Sequence, residues 1–295
     1  MLSKEQIDKY RQDGYLVIEH AINQETMQEL LDVTARIVAG AKGLTDHTDV
    51  LDLEPTHTPE EPRVRRIKKP HLADPFYRKF AADPQITEAL RSLMGDNIRL
   101  RSGGKVNMKS PGYGAPVEWH QDWAFYPHTN DDVLAVGVLL DDMTLENGPM
   151  MVVPGTHRGE LYSHHWQGEF CGAIDVGSSD IDIEQAVPLT GPSGSITIHH
   201  ARLIHGSSMN TSAAARRLLL YEYAAADAWP MAGVEDISDL EDFNGRIVLG
   251  EPTLAPRSSD VPIRIPLPKA RFQGSIYENQ RTLGNRYFES SVEGS

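Results

Sequence analysis

Cysteine is almost absent from this chain. The single residue, Cys171, excludes an intramolecular disulfide and any metal site built on clustered thiolates. No stretch approaches the ~18 uninterrupted apolar residues of a membrane span. The opening Met1-Leu2-Ser3-Lys4-Glu5 leads into a polar helix without the apolar core of a secretory signal. Basic residues are in deficit, with 28 Lys and Arg against 42 Asp and Glu and a formal charge of −14. Such a surface disfavours nucleic acid or anionic membrane as a partner and mainly confers solubility. The expectation is a soluble cytoplasmic protein acting on a small molecule, with its oligomeric state unknown.

What is present is ordinary globular material, long enough at 295 residues for a sizeable core. Ser3-Lys4-Glu5-Gln6 has the form of a capping box, and the helix it starts should stop at Gly14. Asn23 can cap a second helix reaching about Ala39. Residues 41–63 carry Gly, Thr, Asp, Glu and Pro without periodicity and read as a loop or lid. Two helices follow, around 75–82 and 84–94. Beyond Gly95 the pattern changes to short β-rich runs at Ile98–Met108, Asp132–Leu140, Met150–Val153, Ser195–Ile198 and Arg217–Ala224, separated by Gly and Pro turns. That spacing predicts a mainly β fold with flanking helices and a jelly-roll core. One domain is expected: a helical layer and lid loop over 1–95, the jelly roll over 96–226, and an irregular Pro-bearing extension over 227–295. The extension should wrap the core or build a lid or dimer contact.

The chemistry concentrates in Glu118-Trp119-His120-Gln121-Asp122. An H-x-D pair alone is weak, because a chain with 12 His holds about one by chance. A second one, His47-Thr48-Asp49, lies in the polar segment with no strand to fix it. His120 and Asp122 lie between two expected strands, where extended residues at i and i+2 point to one side. Of the other histidines, His205 stands out in Leu203-Ile204-His205-Gly206-Ser207, which reads as the start of a strand. Two imidazoles and one carboxylate can hold one face of a ferrous ion and leave the opposite face open. Arg216 lies eleven residues further on, beyond the turn-rich Met209-Asn210-Thr211-Ser212, and an antiparallel return there would bring it back near His205. A guanidinium suits bidentate pairing with a carboxylate. Taken alone, Arg216 reads equally as a surface ion-pair residue.

Trp119-His120-Gln121-Asp122, Thr144–Pro149, Val153-Pro154-Gly155-Thr156-His157 and the run His205–Ser212 together resemble the phytanoyl-CoA dioxygenase family of Fe(II)- and 2-oxoglutarate-dependent oxygenases. The resemblance spans roughly residues 5–225. It implies a double-stranded β-helix (the cupin-like jelly roll), iron held by His120, Asp122 and His205, and 2-oxoglutarate anchored by Arg216 with Ser207. It also points to Arg66 and to Lys105 or Asn107 beside the co-substrate. Some relatives carry Trp where Gly137 stands here. The intact Asp122 carboxylate argues for hydroxylation over halogenation, for which related enzymes keep a small residue at that point. Dioxygen would take the last coordination position.

Trp123, Phe125 and Tyr126 follow the ligands and could wall a substrate pocket or belong to the core. The basic cluster Arg63, Arg65, Arg66, Lys68, Lys69, His71 is the odd feature of an acidic chain. Charge runs are usually solvated, but its place before the core suggests that Arg66 and His71 face the cavity. That would favour an anionic substrate such as a carboxylate, phosphate or phosphonate, and acyl-CoA also fits. Two other readings stand beside the hydroxylase: a cupin-like metalloenzyme that does without 2-oxoglutarate, and a non-catalytic binding or sensing protein on the same fold.

Overall fold

The structure, a computed structural model, describes residues 1–233, 237–269 and 276–290. Two antiparallel sheets form its centre. The larger has nine strands. Its main path runs Tyr15–Ile18, Ile196–His200, Val133–Leu139, Arg216–Ala225, Lys105–Lys109, Val64–Lys68, Leu51–Leu53, and Ile98–Leu100 and Ile247–Leu249 pair beside the far end of Arg216–Ala225. The smaller holds Val187–Pro188, Met150–Val152, His205–Ser207 and Val117–His120. This is the expected jelly roll.

Alternation along the strands decides which face does what. Val106, Val136, Val138, Ile196, Ile198, Leu219, Tyr221 and Tyr223 point to a helical layer that contributes Leu30, Tyr77, Phe80, Ile86 and Leu90 to the same apolar cluster. Two tyrosines also pin that layer by hydrogen bonds, Tyr221 to the Tyr77 carbonyl (2.7 Å) and Tyr223 to the Ala81 carbonyl (2.8 Å). Intervening residues of the same strands turn inward. Register puts Arg66, Asn107 and Leu218 in one row, Lys68, Lys105, Leu220, Gly137 and Thr197 in the next, and Glu222, Ala135, His199 and Tyr15 in a third. Cross-strand neighbours share a face, so this inner face is unusually polar.

Local signals act as anticipated at the N-terminus. Ser3 and Gln6 complete a capping box for the helix Lys4–Asp13, and Gly14 ends it in the left-handed region at φ 82°. Asn23 caps Gln24–Ala39.

Several expectations need correction. The segment 41–63 contains the strand Leu51–Leu53, which pairs with Val64–Lys68 and extends the sheet. The basic cluster is no solvated face. Arg65 and Arg66 are buried, with Arg66 2.8 Å from Asp52 and Arg65 2.7 Å from Glu278. The run Ile98–Met108 is two strands, Ile98–Leu100 and Lys105–Lys109, broken at Gly103-Gly104. No hairpin joins residues 205 and 216, because the connection crosses from the small sheet to the large one. The extension carries the helices Leu240–Asn244, Ile276–Gln280 and Tyr287–Ser290 besides the strand Ile247–Leu249. Its last described helix packs on the small sheet. Glu118 accepts hydrogen bonds from the backbone N–H groups of Tyr287 (2.9 Å) and Phe288 (3.3 Å), and the Phe288 ring stacks on Trp119 at 5.3 Å. Among the described residues no helix is long and apolar enough to cross a membrane.

Candidate metal centre

His120 ends the strand Val117–His120 and lies directly across from His205 in the small sheet. Asp122 opens a 3-10 turn after Gln121, whose extended backbone (φ −118°, ψ 124°) returns the carboxylate to the side of His120. The Nδ1 atoms of His120 and His205 sit 2.8 and 2.9 Å from the carbonyls of Glu118 and Leu203. A carbonyl accepts only, so each Nδ1 carries the proton and each Nε2 presents a lone pair. Those Nε2 atoms lie 3.8 and 3.9 Å from Asp122 Oδ1. All three residues are buried, and one ligand atom from each falls within 4.8 Å of the others. Burial lowers the pKa of His120 and pushes that of His205 well down. Burial alone would raise Asp122, but the His199 imidazole and the nearby His205, Lys105 and His120 outweigh it and hold the carboxyl well below its usual range. Two neutral imidazoles and an ionised carboxylate are the protonation states a divalent cation requires.

The supports of this unit are themselves paired. Gln121, fully buried, donates to the carbonyls of Glu160 (3.0 Å) and Arg202 (2.9 Å) and accepts from the Tyr162 N–H (3.0 Å). Its own N–H donates to His164 Nε2 at 2.8 Å. The Phe125 ring stands edge-on to His120 with centroids 5.9 Å apart.

Next to the triad lie two buried cations. Arg216, 2% exposed, donates to the Gly148 carbonyl at 2.7 Å, and its Nε has no partner. Burial lowers its pKa to about 10. Lys109, directly across the sheet from it, donates to Ser207 Oγ at 2.9 Å and to the Ser208 carbonyl. Burial and the neighbouring Arg216 charge push this ammonium well below its usual value. Among the described residues neither cation is ion-paired. Buried charge without a counter-charge is costly, so this corner fits an absent carboxylate.

Beyond it the inner wall is polar. Glu222 is met by Lys105 (3.0 Å), Arg101 (3.3 Å) and the Ser102 hydroxyl. Burial would raise its pKa, but Lys105 and Arg101 bring it down to about 2. Asn107 Oδ1, the Tyr126 hydroxyl and both ring nitrogens of His199 are buried without hydrogen bonds. Tyr277, from the C-terminal wrap, is also buried. Its pKa is raised by desolvation against the opposing pull of Arg66, Arg65, Arg216 and Lys105, and the Arg65 guanidinium lies 4.6 Å from its ring centroid.

The sequence profile described as phytanoyl-CoA dioxygenase (PhyH) matches residues 10–218. The chain belongs to the phytanoyl-CoA dioxygenase family. It is thus an Fe(II)- and 2-oxoglutarate-dependent dioxygenase. It is 39% identical over 288 residues to a probable alpha-ketoglutarate-dependent hypophosphite dioxygenase of Stutzerimonas stutzeri, covering 96% of this chain and 99% of that protein. It is 30% identical to the ectoine dioxygenase of Bordetella bronchiseptica, over 72% of this chain and 71% of that one. The crystal structure of EctD from S. alaskensis with 2-oxoglutarate and 5-hydroxyectoine superposes with a TM-score of 0.64 at 25% identity, covering 88% of this chain and 87% of that one.

In this dioxygenase the residues fit both groups the family uses: the triad offers an iron donor set, and the unpaired Arg216–Lys109 corner offers a carboxylate seat. His120, Asp122 and His205 converge; Ser207 is tied to Lys109, which pairs across the sheet with Arg216, and Lys105 and Asn107 lie on the same strand as Lys109. The second H-x-D does not join them, since His47 Nδ1 accepts from the Leu53 N–H at 2.9 Å. Trp123 is no pocket wall. It is fully buried in a cluster with Leu161, Phe170 and Ala201, and its indole donates to the Pro262 carbonyl at 2.8 Å. Phe125 is the aromatic whose ring stands against His120. His71 stands 3.2 Å from the Gly103 carbonyl, at the break between two strands. Arg66 is engaged by Asp52. At Gly137 a Cβ would sit 2.6 Å from Thr197 Oγ1 and 3.0 Å from Leu218, so the position tolerates no tryptophan without rearrangement.

Sequence reasoning missed Lys109, Glu222 and Tyr277, and weighed His164 and His199 only as alternatives to His205 for the third ligand. A signal existed for two of them. Glu222 and His199 are polar residues inside apolar strand runs, in phase with the inward positions.

Proposed function

We propose that this dioxygenase hydroxylates a small oxyanion, and that a low-valent phosphorus oxyanion of the size of hypophosphite is its substrate class. The observation that carries this reading is the inner wall. The Tyr126 hydroxyl is buried there without a hydrogen-bond partner, at a cost of about 1–3 kcal/mol when unmet. A long acyl chain would leave that hydroxyl unpaired. A compact anion rich in acceptors offers partners to the Tyr126 hydroxyl and the Lys105 ammonium. The 39% identity to a protein named for hypophosphite, over nearly the full length of both chains, points the same way.

His120, Asp122 and His205 would hold the iron. Arg216, Ser207 and Lys109 would hold the far carboxylate of 2-oxoglutarate, with Lys105 and Asn107 alongside. Phe125 limits the room beside His120, and Arg66, paired with Asp52, stands in the inward row beside Asn107. Iron and 2-oxoglutarate, when bound, supply the oxidising power: one oxygen atom of dioxygen goes to substrate and the other to succinate, with loss of carbon dioxide. For hypophosphite the balance is one P–H converted to P–OH, giving phosphite. The protein's own part is geometric. Backbone carbonyls keep both imidazole protons away from the ion, the cation corner orients the co-substrate, and the C-terminal wrap helps exclude water.

The experiment is succinate release with Fe(II), ascorbate and 2-oxoglutarate, run with hypophosphite, methylphosphonate, proline and ectoine and followed by phosphorus NMR. Phosphite formed stoichiometrically with succinate is the expected result. Succinate release driven by an organic substrate, with hypophosphite unchanged, would overturn the substrate class.

A further inference from the structure

Each ligating histidine has an orienting partner, a backbone carbonyl on its Nδ1. Asp122 has no backbone donor on its carboxylate among the described residues. Its two oxygens face different neighbours. Oδ1 is turned to His120 and His205 (3.8 and 3.9 Å), whereas Oδ2 lies 3.5 Å from His199 Nε2. His199 comes from the opposite sheet, in the strand Ile196–His200, across from Ala135 and Tyr15. Its ring is 1% exposed, lies 4.6 Å from that of His205, and has no hydrogen bond on either nitrogen. An imidazole carries at least one N–H in every tautomer. Buried here, it needs an acceptor, and the outer oxygen of Asp122 is the one beside it.

We infer that His199 is a positioning residue whose Nε2–H holds Asp122 Oδ2 and thereby keeps Oδ1 turned toward the ion. The inference rests on the triad reading above. When the carboxylate engages a cation through Oδ1, Oδ2 closes onto the imidazole. The two sheets of the jelly roll then grip the metal together, the small one by ligation and the large one by a single hydrogen bond. Outer partners of this kind are worth about 10–100-fold in metal affinity.

The test uses Co(II) as the probe, titrated into metal-free protein and read by its visible absorption. His199→Gln, whose amide reaches the Nε2 position, should bind Co(II) within a few fold of wild type. His199→Asn, with the same chemistry and a shorter reach, should bind 10–100-fold more weakly, as should His199→Phe. Thermal midpoints of the metal-free variants report folding separately, and the Gln/Asn pair decides the matter even where the Phe variant fails to fold. Equal affinity in all variants, or equal loss in Gln and Asn, would overturn the inference. His205→Ala serves as the reference. Should it bind Co(II) like wild type, the triad reading itself fails. Should it lose the ion while His199→Asn keeps it, only the role of His199 falls.

Discussion

Lowering the pH should loosen this protein through a group that touches neither metal nor substrate. His164 Nε2 accepts from the Gln121 N–H at 2.8 Å, and its Nδ1 lies 3.0 Å from the Tyr162 carbonyl, so the neutral tautomer is fixed from both sides. Protonation would aim a second N–H at the Gln121 amide. Burial accordingly lowers its pKa to about 3 from an ordinary 6.5. The folded state therefore binds this proton less readily than the unfolded chain. The stability it contributes is complete above pH 6.5 and is lost as pH falls from there toward 3. At pH 5 the deficit is about 1.5 units, or on the order of 2 kcal/mol at 1.36 kcal/mol per unit. His128 (lowered to about 4) and His200 (to about 3) add to the wild-type slope in the same direction. The contribution of His164 is isolated by His164→Gln, which retains an acceptor and does not titrate. Urea midpoints of metal-free protein at pH 7 and pH 5, followed by circular dichroism, should show wild type losing ~2 kcal/mol more than the variant. Equal losses in the two proteins would refute the assignment. Metal-free protein is specified because a bound cation adds its own proton linkage.

Arg216→Gln should weaken 2-oxoglutarate by at least about a hundredfold, since removing one partner of a buried charge pair costs about 3–5 kcal/mol. Iron should stay bound, and titration of the anaerobic iron protein with 2-oxoglutarate reads both; unchanged co-substrate affinity would reject the anchor. Phe288→Ala removes a buried ring stacked on Trp119 and should destabilise by about 3–5 kcal/mol. A shift below ~0.5 kcal/mol in a denaturation series would show that the C-terminal wrap is not part of the folded unit.

The parts legible in the sequence were those set by local physics. Ser3, Gly14 and Asn23 delimit helices through caps that involve residues three or four apart. The extended residue between His120 and Asp122 is enough to put both side chains on one side. The unread parts depend on partners far along the chain. Arg66 was expected to face the cavity, but its ion pair was not legible because Asp52 sits in a segment without periodicity that nonetheless pairs as a strand. The extension 227–295 looked irregular because the partners of its described parts are far along the chain: Ile247–Leu249 pairs with Ile98–Leu100, and Tyr287 and Phe288 donate to Glu118. Trp123 and Phe125 are two residues apart and equally apolar. Only the fold sends one ring into the core and the other against His120.

The clasp between Glu118 and the backbone of Tyr287 and Phe288 has a practical corollary. Glu118 also supplies the carbonyl that fixes the His120 proton, so whatever tugs on the chain after residue 286 pulls on the mounting of that imidazole. An affinity tag or fusion partner is therefore best attached at the amino end.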